Sequence, residues 1–208
     1  REFIGDHILP MACALWSATP AAIQRFPARY FVSFMANHRM LQVDGRPQWR
    51  VVSGGSSRYV QAILAALGDR VRLSTPVLGV RRGKDGVTIR SATHGSETFD
   101  AVVLACHSDQ ALALLDDPSR AEKAVLGAMG FQENVATLHC DVRQMPSQRA
   151  AWSSWNARIP LSGAARCTVS YWMNLLQNLP CKTPLIVSLN AAERFDRSKV
   201  FAERIYHH

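Results

Sequence analysis

The stretch from Ser56 to Cys106 restricts the fold most strongly, because its hydrophobic period changes twice within fifty residues. A helical stripe comes first and stops at Gly68, after which alternating segments predict a meander that starts at residue 71 and turns at 83–86. Residues 101–105 are apolar without alternation, which is typical of a parallel strand covered on both faces. A mixed α/β or α+β class is therefore predicted.

The N-terminal third predicts short packed helices and one hairpin. Residues 7–16 are apolar almost all round, Thr19 and Pro20 form an N-cap signature, and PARYFVSFMANH starts a third helix. The segment 41–53 resembles two strands joined by a turn and closes on Gly54 and Gly55, interpreted as a turn that needs positive φ.

The remainder predicts two helices and then a second sheet. The helices cover about 108–115, with Ser108 or Asp109 as N-cap, and 118–129. Four strand-like runs with intervening loops, NVATLHCDV, CTVSYWM, PLIVSLN and VFAERIY, indicate an antiparallel sheet.

Charge and cysteine content argue against several classes of protein. The net charge is +8, but the basic residues are scattered and the densest group is only Arg81, Arg82 and Lys84, so no nucleic-acid partner is expected. The five cysteines are far apart, without zinc spacing, so a reduced, cytoplasmic setting and no metal are predicted: Cys13, Cys106, Cys140, Cys167 and Cys181. No apolar run reaches the ~20 residues of a membrane span.

Motifs that bind nucleotides or carry catalysis are missing from the sequence. None of the twelve glycines forms G-x-G-x-x-G, the turn that lets a backbone approach a pyrophosphate. P-loop, H-E-x-x-H and G-x-S-x-G patterns are equally absent. The residues alone therefore predict no catalytic group.

The order of elements and several short segments resemble a known protein family, and this resemblance indicates a function that the motifs do not. The order of elements in WRVVSGG through DAVVLAC is similar to that of flavin-containing amine oxidoreductases and phytoene-desaturase-like proteins. Further segments, among them HSDQALALL, AWSSWN and YWMN, resemble those of bacterial predicted NAD/FAD-binding proteins over essentially the whole chain. The chain therefore looks like an internal portion of such a protein, without the N-terminal fingerprint. The resemblance implies a helical part of a substrate lobe at 1–50, a partial FAD-binding, Rossmann-like lobe at 51–130 and an antiparallel-sheet substrate lobe at 131–208.

The resemblance implies secondary contacts to FAD. Val77 would meet the adenine through its backbone, Ala105 would end the apolar strand at the cofactor, and Cys106 and His107 would line the same edge. Each also has an ordinary interpretation: Val77 as a core strand residue, Cys106 as a small buried filler, and His107 as a surface or capping residue. The glycine pair could contact cofactor as well as form a turn.

Other candidates lie in the C-terminal third. Four aromatic residues could line an apolar substrate cavity or form core: Trp152, Trp155, Tyr171 and Trp172. His139 and Asp141 could form an acid/base pair on one strand, or be structural. Amine-oxidising relatives carry a lysine where RQMPSQRAAWSSWN has only Arg143 and Arg149, which argues against amine oxidation.

Two functions follow from these observations. The first is an FAD-dependent oxidoreductase, amine-oxidase-like or desaturase-like, that passes a hydride from a small, apolar or lipid-like organic substrate to FAD. The second is a non-catalytic fragment or binding module that keeps the scaffold and holds no nucleotide. The 208-residue chain by itself is not expected to retain FAD, and its catalytic residues and oligomeric state stay open.

Overall fold

The structure, a computed structural model, describes residues 2–16, 18–158, 168–191 and 195–207. It divides into two compact units, Arg1–Ser56 with Glu133–His208 and Ser57–Gln132. Helices and antiparallel sheets both occur, so the predicted mixed class is confirmed. The assignment of the units to substrate and cofactor lobes stays a prediction.

The first unit begins with a π-helical turn at Ile4–Ile8. Three short helices follow it: α1 (Leu9–Trp16), α2 (Pro20–Gln24) and α3 (Ala28–Asn37). The predicted cap is confirmed, because the Thr19 hydroxyl accepts the Ala22 N–H at 3.3 Å and Pro20 occupies the first helical position. The Trp16 ring packs against those of Phe26 and Phe34, 4.8 and 4.9 Å away between centroids. Aromatic packing thus holds α1 against α3.

The second unit contains three helices and one antiparallel meander: α4 (Ser57–Leu67), β1 (Val77–Gly83), β2 (Gly86–Ser91), β3 (Gly95–Phe99), α5 (Ser108–Leu114) and α6 (Arg120–Leu126). Gly68 ends α4 at φ +56°, as the sequence predicts. In the β1–β2 turn, any Cβ on Gly86 would collide with the Phe99 carbonyl. The N-cap of α5 is His107, so Ser108 or Asp109 as cap was wrong.

Residues 101–105 do not form the predicted parallel strand. No described residue gives them a backbone hydrogen bond, and Val103 is 90% exposed. The only parallel contact recorded in this unit is an isolated bridge between Val80 and Leu115. An apolar run indicates that a segment needs burial, but pairing also requires a neighbouring strand, and none of the described segments provides it.

The predicted hairpin at 41–53 was also wrong. This segment has no strand in the structure, and the Arg46 Nε instead donates to the Gln42 carbonyl at 2.7 Å. Alternation of apolar and polar residues gives a segment two distinct faces, but it does not determine which element packs against either face. Trp49 and Val51 turn toward a cleft of the first unit, described below.

The rest of the first unit is one sheet of five strands with a one-turn helix after its third segment in sequence: β4 (Glu133–His139), β5 (Trp155–Arg158), β6 (Thr168–Trp172), α7 (Met173–Leu176), β7 (Ile186–Leu189) and β8 (Val200–His207). Its order is β5-β6-β7-β4-β8, and every pair is antiparallel, which confirms the predicted antiparallel sheet. Val169 and Ile186 are buried at its centre beside polar His139 and Ser188.

Single 3-10 turns lie at Gly68–Arg70 in the second unit and at Val142–Gln144, Arg149–Ala151 and Arg197–Lys199 in the first.

Candidate functional site

An apolar cleft of about 970 Å³ lies within the first unit. Its volume is within the ~300–1,000 Å³ range of ligand pockets, and aromatic and aliphatic side chains dominate its walls. Each element contributes one face to the lining, because residues four apart on a helix and two apart on a strand point the same way. The pairs are Met11 and Leu15 on α1, Phe34 and His38 at α3, and Trp155 and Ala157 on β5. Leu175 and Leu176 of α7 close another side.

One end of the cleft is polar. A second cleft of about 590 Å³ shares Trp49, Arg50, Val51 and Asn178 with the apolar one, so the two adjoin. Gln48, Ser53 and Gln177 add amide and hydroxyl groups there. Arg50 has no carboxylate or hydrogen-bond partner among the residues that the structure describes. An unpaired guanidinium therefore stands where an apolar space meets a polar one.

His38 is held in one ring orientation beside the apolar cleft. Its Nδ1 lies 2.8 Å from the Phe34 carbonyl oxygen, so Nδ1 carries the proton and donates it. Its ring stacks on that of Phe34 at 4.0 Å between centroids. Within the described ranges no side chain or backbone group bonds to Nε2. His38 thus lines the apolar cleft with its Nδ1 engaged and no described partner at Nε2.

The four cofactor candidates all lie in the second unit. Val77 begins β1 opposite Ser91 and is 37% exposed. Ala105 and Cys106 end the extended, unpaired segment, and both are exposed. His107 starts α5 and stacks almost parallel on Phe131, with 4.4 Å between ring centroids. His107 thus has the capping role that was its ordinary interpretation, and a contact to cofactor stays a prediction for all four.

The second unit has accessible backbone groups where the cofactor contacts are predicted. The segment 101–105 has free backbone donors and acceptors within the described chain, and the edge at Val77 is accessible. Such groups suit the backbone contacts that the resemblance implies. A pyrophosphate has no glycine-rich turn here, because the sequence contains none. Gly54 and Gly55 have φ of +81° and +85° in a turn, as predicted.

The four aromatic candidates separate into two pairs. The Trp155 and Tyr171 rings meet edge to face at 5.1 Å, and Trp155 lines the apolar cleft. Trp152 and Trp172 also meet edge to face, at 5.4 Å, and the Arg149 guanidinium lies 3.7 and 4.4 Å from their ring centroids. Arg149 is therefore engaged in a cation–π cluster.

His139 and Asp141 do not form an acid/base pair. The Nδ1 of His139 accepts the backbone N–H of Asp141 at 3.0 Å, while its Nε2 lies 2.8 Å from the Ser188 hydroxyl. Ser188 continues to Ser170 at 2.7 Å, and Ser170 donates to the Gln144 carbonyl at 3.3 Å. Burial lowers the pKa of His139 to about 4, so the ring is neutral. The network is structural.

The Asp141 carboxylate belongs to a separate ion pair. Its two oxygens accept from Arg143 Nε at 2.9 Å and from a terminal guanidinium nitrogen at 2.5 Å. The backbone N–H groups of Arg143 and Asp196 also donate to this carboxylate, at 3.2 and 3.0 Å. The Arg143 side chain, chiefly, holds the pKa of the Asp141 carboxyl well below its usual range. Neither Arg143 nor Arg149 lines the apolar cleft.

The chain belongs to the family of flavin-containing amine oxidoreductases, whose sequence model matches residues 15–168. Among solved structures it is similar to a putrescine oxidase with redesigned cofactor binding, at 16% identity and a TM-score of 0.45, over 65% of this chain and 29% of that one. It is also similar to a CLA-producing fatty acid isomerase from P. acnes, at 12% identity and a TM-score of 0.47, over 74% and 40%. The chain thus spans less than half the length of either protein.

Sequence reasoning missed Trp49, Arg50 and His38 as candidates. Trp49 and Arg50 were interpreted as hairpin residues, and His38 only as part of a helix end. A tryptophan beside an arginine, in a segment that precedes a glycine pair, was the available signal, since both residue types are enriched at binding sites.

The described residues contain neither a cluster of metal ligands nor a helix that could span a membrane. No three His, Cys, Asp or Glu side chains converge there to hold a metal ion. No helix in the same ranges is long and apolar enough to cross a membrane. The four described cysteines are free thiols, and Cys167 lies outside the described residues.

Proposed function

We propose that the full-length protein is an FAD-dependent oxidoreductase that oxidises an apolar organic substrate bound in the cleft of the first unit. The cleft carries this proposal, because its walls are aromatic and aliphatic and its volume suits a small molecule. When bound, FAD accepts two electrons as a hydride from the substrate, which also gives up a proton and gains one double bond.

The chain's own residues have distinct roles in this proposal. Met11, Leu15 and Trp155 bind the substrate and exclude water, which strengthens every electrostatic interaction within the cleft. Backbone groups at Val77 and Ala105 hold the adenine side of the cofactor, with Cys106 and His107 along the same edge.

Amine oxidation is not part of the proposal. The two arginines that replace the expected lysine bind Asp141 and two tryptophans, respectively. The cleft also has no described carboxylate in its lining that would attract an ammonium group. A desaturation or related hydride removal from a hydrocarbon fits this composition.

The test is anaerobic flavin reduction in the full-length protein. An apolar substrate should bleach the flavin bands in the parent protein and in Ala21→Trp, which changes an exposed residue outside both clefts. Ala157→Trp fills the apolar cleft and should abolish bleaching while the flavin content stays unchanged. Equal bleaching rates in the two variants would refute the cleft as substrate site, and a full-length protein without flavin would favour the binding-module alternative.

A further inference from the structure

The polar end of the apolar cleft indicates the chemical class of its ligand. Arg50 lines both clefts and carries a permanent positive charge. Among the described residues no carboxylate neutralises it, whereas Arg72, Arg82, Arg143 and Arg197 each have an acidic partner. A cation left unpaired at the boundary of an apolar space is complementary to an anion attached to a hydrocarbon.

The neighbours of Arg50 fit the same ligand. Asn178 lines both clefts with it, and Gln48 and Gln177 line the polar one, so side-chain amides with N–H donors line the same space as Arg50. Donors and a cation together solvate a carboxylate or phosphate oxygen. An ammonium group would meet the Arg50 charge with repulsion.

Most of the apolar cleft is lined by hydrocarbon. Met11, Leu15, Leu175 and Leu176 present no group that hydrogen-bonds strongly. A ligand that is charged at one end and hydrocarbon along the rest of its length matches this lining.

We propose that the apolar cleft binds a linear hydrocarbon chain with a terminal anionic head group, and that Arg50 binds the head group. This rests on the proposed function in one respect, that the cleft is the substrate site. Carboxylates and phosphate monoesters share the required chemistry, and the experiment below separates them.

Binding is measured by titration calorimetry on the full-length protein, with ligands below their micellar concentrations. Dodecanoate and dodecyl phosphate should both bind more tightly than dodecanol, and dodecylamine most weakly. The tighter of the two anions identifies the head group. In the series from octanoate to dodecanoate, affinity should rise by up to about fourfold per methylene, since each buried methylene contributes ~0.8 kcal/mol.

Matched variants test the role of Arg50. Arg50→Met should weaken dodecanoate binding about tenfold and leave dodecanol within about twofold, because only the charged hydrogen bonds are lost. Arg50→Lys should keep most of the anion preference. Arg29→Met removes an equivalent exposed charge from α3, outside both clefts, and should leave both affinities unchanged.

Several results would overturn the proposal. They are equal dodecanoate affinities for Arg50→Met and Arg29→Met, binding of dodecylamine as tight as that of dodecanoate, and no binding by any member of the series. Because calorimetry does not depend on flavin chemistry, anion binding without flavin reduction would refute only the proposed function. Flavin reduction by neutral or cationic substrates, with no anion preference, would refute only the present inference.

Discussion

The imidazole Nε2 of His139 lies 2.8 Å from the hydroxyl oxygen of Ser188, and both side chains are completely buried between strands β4 and β7. Because Nδ1 already accepts the Asp141 amide proton, Nε2 must carry the hydrogen. The hydrogen then passes along a directed chain in which Ser188 donates to Ser170 and Ser170 donates to a carbonyl. A protonated imidazole would carry a hydrogen on Nδ1 as well, so the hydrogen bond from the Asp141 backbone N–H would be lost.

We expect stability to fall as the pH drops from about 6.5 to about 4. The unfolded chain binds a proton at His139 below its ordinary pKa of 6.5, whereas burial keeps the folded pKa at about 4. The contribution of neutral His139 to the free energy of unfolding is therefore fully present above pH 6.5. It declines through this window by about 3 kcal/mol, at roughly 1.4 kcal/mol per pH unit. Urea unfolding at a series of pH values measures it.

The control separates His139 from other titrating groups. His139→Gln should be less stable at neutral pH but lose most of the slope in this window. His94→Gln removes an exposed imidazole from the β2–β3 turn and should keep the slope of the parent. An unchanged slope in His139→Gln would contradict the assignment.

Ser188→Ala should destabilise the protein by about 1–3 kcal/mol. The substitution leaves the buried Nε2–H of His139 without its acceptor and Ser170 without its donor, and an unsatisfied buried group costs its full desolvation penalty. Ser96→Ala on β3 changes an exposed hydroxyl and should stay within ~0.5 kcal/mol. Chemical denaturation of both variants measures the difference in the free energy of unfolding. Equal midpoints would show that the hydrogen-bond network does not contribute to stability.

The 208-residue chain without further segments should be colourless after purification. Most of the affinity for FAD comes from the pyrophosphate at a helix N-terminus, and this sequence has no glycine-rich turn to admit it. A few hydrogen bonds at ~1 kcal/mol each do not offset the several kcal/mol that association costs. Titration should give a dissociation constant of about millimolar or weaker. Stoichiometric flavin in the purified chain would contradict this.

In the full-length protein, Val77→Pro should weaken FAD affinity more than Val77→Ala. Proline removes the backbone donor at the start of β1, whereas alanine trims only a side chain that is partly exposed. The loss of one hydrogen bond costs about 0.5–1.5 kcal/mol, up to about tenfold in affinity. Fluorescence titration of two variants with parental circular dichroism spectra measures it, and identical dissociation constants would exclude the contact.

Local chemistry made several elements predictable from the sequence. Thr19 and Pro20 start α2 because a side-chain oxygen and a fixed φ act within one turn of chain. Gly68 ends α4 because only glycine adopts its left-handed backbone without strain. Short alternating runs separated by turns predicted the strands of the antiparallel sheet, although β4 pairs with β7 and β8 far along the chain.

Partner choice, by contrast, was decided by tertiary structure. Residues 101–105 have the composition of a central strand and yet pair with no described strand, because a ladder needs a second backbone that composition cannot supply. Trp49 and Arg50 line the clefts because distant α7 and β5 face them. Asp141 binds Arg143, and His139 binds Ser188 forty-nine residues away. The sequence determined which groups needed partners, and the three-dimensional packing chose the partners, since burial and hydrogen bonding act between whichever groups the folded backbone brings together.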